Sequence, residues 1–154
     1  MNQVNLQLNI KAVDGIVYLN QPCLIEVALW NRGETAVLVN KRLSLGFRDQ
    51  LARELIAAIK DAAGGQPVEL QHLSIDRNFS PAADYIELPP GQAITKTVDL
   101  FAYYKPEQTG IFTVTLYYQA GEPASRAPAD VVRGIYSSNS IELDVRIGKV
   151  KRPK

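Results

Sequence analysis

The chain of 154 residues holds one histidine, His72, and one cysteine, Cys23. These are the residue types that most readily form a base and a nucleophile. A Ser/His/Asp or Cys/His arrangement needs its histidine aligned against the attacking atom. His72 stands in ELQHLSID, where Leu73 and Ile75 alternate as in a strand and turn His72 to the opposite face. It reads as an ordinary exposed or rim histidine. Cys23 has no cationic neighbour in sequence to lower its pKa. Its alternation with Ile25, Val27 and Leu29 points it inward, as a small buried hydrophobe. A transition-metal centre needs several His or Cys ligands, more than this chain supplies. The acids of SIDRN and PADVV lack the spacing of a known calcium loop. Gly64-Gly65 reads as a turn and not as a phosphate cradle, which would follow a strand and open a helix. No catalytic residue, metal or cofactor is therefore expected, and the chain reads as a non-enzyme.

Recognition chemistry is better represented. FAYYKP carries Phe101, Tyr103 and Tyr104, and LYYQ carries Tyr117 and Tyr118. Exposed tyrosines stack on sugars or anchor a protein partner. The plainer reading puts half of each pair in the core and half over a sheet face. Trp30 lies opposite Cys23, Ile25, Val27 and Leu29 on the alternation, beside the turn NRGE. The stretch from Gln119 to Tyr136 has no periodicity and is rich in Gly, Pro and Ala, as a long loop is. Arg126 or Arg133 on that loop could enter a protease cleft. The candidate interaction set is Tyr103, Tyr104, Arg126, Arg133 and Tyr136.

Bulk properties narrow the partner. A net charge of +1 argues against nucleic acid held on a broad basic face, and against a polybasic membrane docker. No apolar run approaches the ~18 residues that a membrane span requires. The opening MNQVNLQLNI has neither a basic nor a continuous apolar region of a leader. The compartment is cytoplasmic if Met1 is the native start, and extracytoplasmic if a leader was removed. Another protein is the expected partner.

These residues need a scaffold, and the pattern for one is strong. VNLQLNI places Val4, Leu6, Leu8 and Ile10 on one face, against Asn5, Gln7 and Asn9. CLIEVALWN, DYIEL, QAITKTVDL and GIFTVTLYY continue the period of two. TAVLVN and RLSLGF read as short strands on either side of a bend. SIELDVRI sets Ile141, Leu143, Val145 and Ile147 against Glu142, Asp144 and Arg146. Lys96 falls on the inward face of QAITKTVDL and must sit at a rim. Asp14-Gly15, NRGE and Pro-Pro-Gly mark turns. The pattern predicts an all-β, single antiparallel sandwich of roughly eight strands over residues 1–148, followed by a frayed basic tail at 149–154. A chain this long can bury ~70% of its unfolded surface without a disulfide or metal.

One segment is ambiguous. In FRDQLARELIAAIKDAAGGQPVEL, Leu51, Leu55 and Ile59 recur at helical spacing, with Asp49 and Gly64 as caps. A short helix near 48–63 would satisfy propensity. DAAGGQPV is instead turn chemistry, with ELIAAIK as one arm of a hairpin.

The order of VALWNRGETAVLVNKRLSLGF, AIKDAAGGQPVEL, DYIELPPGQAITKTVDLFAYY, GIFTVTLYYQA and SSNSIELDV resembles an immunoglobulin-like β-sandwich of uncharacterised bacterial proteins. It is similar to the β-domain preceding the catalytic half of some zinc endopeptidases and, loosely, to bacterial intracellular proteinase inhibitors. The resemblance runs from about Pro22 to Ile147 and implies a strand over Glu54 to Lys60. It carries over no zinc-protease residues, since HExxH is absent. Phe112 stands where such domains commonly have tyrosine, which removes a hydroxyl that would bond to a loop. The resemblance implies a non-catalytic interaction or accessory module binding through loop ends. Two alternatives are a proteinase inhibitor presenting loop 119–136 and a carbohydrate-binding module using exposed tyrosines.

Overall fold

The computed structural model describes residues 4–46, 54–67, 85–120 and 131–148. Strands β1 (Leu6–Ala12), β3 (Leu24–Asn31) and β8 (Ala93–Asp99) form one antiparallel layer. Strands β6 (Leu55–Asp61), β9 (Gly110–Ala120) and β10 (Gly134–Arg146) form the other. Their inward residues meet in one core, where Leu8, Ile25, Val27 and Leu29 join Val114, Leu116 and Leu143. The first, second and fifth strands of an immunoglobulin order against its third, sixth and seventh make the same grouping. The chain is thus an all-β, immunoglobulin-like sandwich.

The layers are joined at β10. β1 meets it in parallel at Ser138, and β2 (Ile16–Tyr18) rejoins it in parallel at Asp144–Arg146. The Asp14-Gly15 turn lets the chain step from one pairing to the next. Between Ser137 and Ser140 the register with β9 slips. Short polar side chains replace the lost backbone pairing there. The Asn139 amide accepts from Ile10 N at 2.8 Å and donates to Ile10 O at 3.0 Å, and Ser138 Oγ accepts from Leu116 N at 2.9 Å. The run SSNS is therefore a bulge sequence, whose side chains reach backbone groups that an aliphatic residue would strand.

β4 (Val37–Asn40) and β7 (Tyr85–Leu88) form a separate antiparallel ribbon, and β5 (Leu45–Gly46) lies parallel to β6. The expected antiparallel order thus holds within each layer, while β1–β10, β2–β10 and β5–β6 are parallel.

The ambiguous segment is strand from Leu55 onward; 47–53, where a helix start was considered, lies outside the described residues. Ala57 and Ala58 are poor strand formers, but pairing with β9 overrides propensity. Ser44 O accepts from Leu55 N on the other edge of β6. Where β5 ends, Tyr104 Oη accepts from Ala57 N at 3.2 Å. The DAAGGQ turn closes through Asp61 N to Gln66 O, with Gly65 at φ +67° and Lys60 bridged to Pro67. A second hairpin arm beyond 67 lies outside the described residues.

Two expected core positions are corrected. Val4 and Ile147 are 46% and 76% exposed, because each lies just past the end of its strand and has no facing layer.

Candidate interaction face

Of the five candidate residues, Tyr104 is not a surface group. It is 4% exposed, and burial pushes its phenol up to about 12. This corrects the loop-surface expectation. The 3-10 turn Leu100–Ala102 directs Tyr104 into the core, and Asp99 caps that turn by accepting from Phe101 N and Cys23 N. Tyr103 is half-buried against the core. Tyr136 is half-buried, its ring 6.5 Å from Tyr118, and its Oη donates to Arg133 O at 3.3 Å. Arg133 is exposed. Arg126 and the centre of the long loop lie outside the described residues, as does His72. The structure therefore brings Arg133 and Tyr136 together, with neither Tyr103 nor Tyr104 beside them in any described contact.

Tyr118 is the inward member of its pair. It is fully buried, and its Oη accepts from Asn40 N at 3.1 Å. Burial pushes its phenol far up, against the relief of that backbone bond. Cys23 is fully buried as well, and burial followed by the Asp99 charge pushes its thiol up to about 12. A thiol so placed is not a nucleophile. Among the described residues no group of three or more His, Cys, Asp or Glu converges.

The most charged buried contact is Arg42 with Glu54. Arg42 Nε and Nη2 donate to the two carboxylate oxygens at 2.6 and 2.7 Å, and Ser44 N adds a bond at 3.1 Å. Both oxygens are occupied in fixing the segment before β5 onto the start of β6. That segment includes Leu43, buried at φ +48°. The arrangement is a structural clamp.

The surface that could receive a partner is the outer face of β1, β3 and β8. Registry sets its rows: Lys11 beside Glu26 beside Thr97, then Asn9, Ala28 and Thr95, then Gln7, Trp30 and Ala93. Ala28 is the small residue at the centre, and the taller side chains around it leave a trough of about 590 Å³. At one end Arg32 lies 4.3 Å over the Trp30 ring, and its Nε donates to Gln7 Oε1 at 2.9 Å. Such a stacked guanidinium contributes about 0.5–1 kcal/mol at an exposed site and keeps the indole covered. At the other end Lys11 and Glu26 stand opposite in register. The trough thus offers a cation, an anion, two hydroxyls and an amide on a rigid sheet. Strand alternation marked Gln7, Asn9 and Trp30 as outward. Which strands lie side by side was not legible, so the rows could not be assembled from sequence.

No protein-family model matches the chain, and no curated protein matches it. Among solved structures it is similar to the CARDB domain of the PF1109 protein from Pyrococcus furiosus, in complex with di-metal ions. Identity there is 14%, TM-score 0.47, over 94% of this chain and 96% of that one. A β-glucosidase from Listeria innocua in complex with glucose aligns at 17% identity and TM-score 0.44, over 96% of this chain and 17% of the enzyme. AvmM, which catalyses macrocyclization in alchivemycin A biosynthesis, aligns at 12% identity and TM-score 0.40, over 97% of this chain and 92% of its own. Likeness at this level carries nothing across to this chain.

Proposed function

We propose that the protein is a non-catalytic interaction module, and that another protein docks on the outer face of β1, β3 and β8. The observation that supports this is the trough itself: mixed-charge, hydroxyl and amide groups on a face held by two full ladders. Rigid presentation lowers the ordering cost of binding, and paired opposite charges select a partner of complementary pattern. Sugar stacking by exposed tyrosines has less support, because Tyr104 and Tyr118 are buried. The inhibitor alternative, expected on a loop at 119–136, rests on the segment between β9 and β10, because Gln119–Ala120 and Gly134–Tyr136 are paired strand. It is tested by titration against a protease panel. Stoichiometric inhibition, lost on cutting at Arg126, would replace the passive-module reading.

The direct test is site-specific photocrosslinking in the native host. A benzophenone side chain at Thr97 should capture a discrete partner, and Glu26→Lys should abolish the adduct. The same probe at Glu142, on the other layer, should not capture it. No adduct at Thr97, or one indifferent to Glu26→Lys, would overturn the assignment.

A further inference from the structure

Among the described residues, β8 is the last strand of its layer, and no strand pairs with its outer edge. Its sequence, AITKTVD, has four β-branched residues and neither Gly nor Pro. Such a strand pairs readily with another chain. The hydrogen-bond pattern shows which groups face that edge. Asn31 N donates to Gln92 O, and Leu100 N donates to Cys23 O. In the same antiparallel register, the backbone groups of Ile94, Lys96 and Val98 therefore point toward β3. Those of Thr95 and Thr97 point outward, unpaired by β3.

We propose that Lys96 is a gatekeeper that prevents this edge from pairing with β8 of a second copy. A symmetric antiparallel pair centred on residue 96 would match Thr95 with Thr97 as hydrogen-bonded partners. The two Lys96 residues would then face each other at the closer, non-bonded spacing, about 4.5 Å between Cα atoms. Like charges directly opposite destabilise such a pair. Shifting the register by one pair sets each Lys96 against Ile94 or Val98, which places an ammonium on aliphatic surface.

The position of Lys96 is unusual for its face. It lies opposite Val27, on the inward side between Ile94 and Val98, yet is exposed, and its Nζ donates to Arg42 O at 2.7 Å. The side chain crosses the open rim of the sandwich, where the inward residues of an added strand would have to pack. Inward-pointing charge on an edge strand is a known means of blocking edge-to-edge association.

The test is the oligomeric state of the full chain by sedimentation. Wild type and Lys96→Arg should stay monomeric through this edge. Lys96→Val should self-associate at least about tenfold more tightly, a difference of about 1.4 kcal/mol. Adding Thr97→Pro should reverse this, because proline removes an outward donor while leaving the β3 ladder intact. If Lys96→Val fails to fold, Lys96→Thr keeps a good strand former without the charge and should associate likewise. A neutral variant no more associated than wild type overturns the proposal. So does association that survives Thr97→Pro, or a wild type already paired through β8.

Discussion

Removing the Glu54 carboxylate should be among the most damaging single changes in this protein. Glu54 is 1% exposed and receives two bonds from Arg42 and one from Ser44 N. Glu54→Ala takes away the carboxylate that Arg42, 18% exposed, grips with two bonds, and leaves the Ser44 backbone donor without its acceptor. Breaking a buried pair from one side costs about 3–5 kcal/mol. At about 2–4 °C per kcal/mol for a domain of this size, the midpoint should fall by roughly 6–20 °C. Replacing both partners, Arg42→Met with Glu54→Leu, removes both charges. Such isosteric apolar replacement is neutral or stabilising by about 1–4 kcal/mol, offset by about 1–3 kcal/mol for the unpaired Ser44 N–H. The double variant should therefore be more stable than the single variant, and close to wild type at the middle of these ranges. Urea unfolding followed by Trp30 fluorescence and circular dichroism measures both. A Glu54→Ala loss below about 1 kcal/mol, or a double variant no more stable than the single, refutes the clamp.

Further outcomes follow from the buried hydroxyls and the bulge. Tyr118→Phe and Tyr104→Phe should each lower stability by about 1–3 kcal/mol, because Asn40 N and Ala57 N lose their acceptor; equilibrium unfolding that shows no loss for either would remove that role. Asn139→Ala should cost a similar ~1–3 kcal/mol, with faster amide exchange at Ile10, and unchanged exchange there would argue against the side-chain bridge. Alkaline pH should unfold the protein in a defined window. The neutral Cys23 thiol and Tyr104 phenol are favoured in the fold, with values raised from 9.0 and 10.0 to about 12. The stability they contribute is complete below their ordinary values and is lost as pH rises toward 12. Tyrosinate absorbance from Tyr104 should appear only together with the loss of folded structure. A single class of tyrosines ionising with the fold intact would contradict this.

Much of the layer assignment was legible because strand periodicity is local. Each of Cys23, Ile25, Val27 and Leu29 is buried where alternation placed it, as are Phe112, Val114 and Leu116. Lys96 was recognised as a rim residue for the same reason. Local pattern misled at Val4 and Ile147, where alternation continues past the strand but the facing layer does not. Tyr104 was read as part of an exposed loop, whereas the 3-10 turn, capped by an Asp99 that also accepts from Cys23 N far away in sequence, carries it into the core.

By itself, then, the sequence determined the β class, the inward and outward members of most strands, and the turns. Those depend on side-chain direction along one strand and on the φ preferences of Gly, Pro, Asn and Asp. Tertiary structure alone decided which strands are neighbours, and with that everything about the candidate face. Lys11, Glu26 and Thr97 are widely separated in the chain and adjoin only through the β1–β3–β8 registry. The same holds for Arg42 with Glu54 and for Tyr118 with Asn40. It also decided the parallel return of β1 and β2 onto β10, because a hydrogen-bond ladder records pairing between segments that no local pattern encodes.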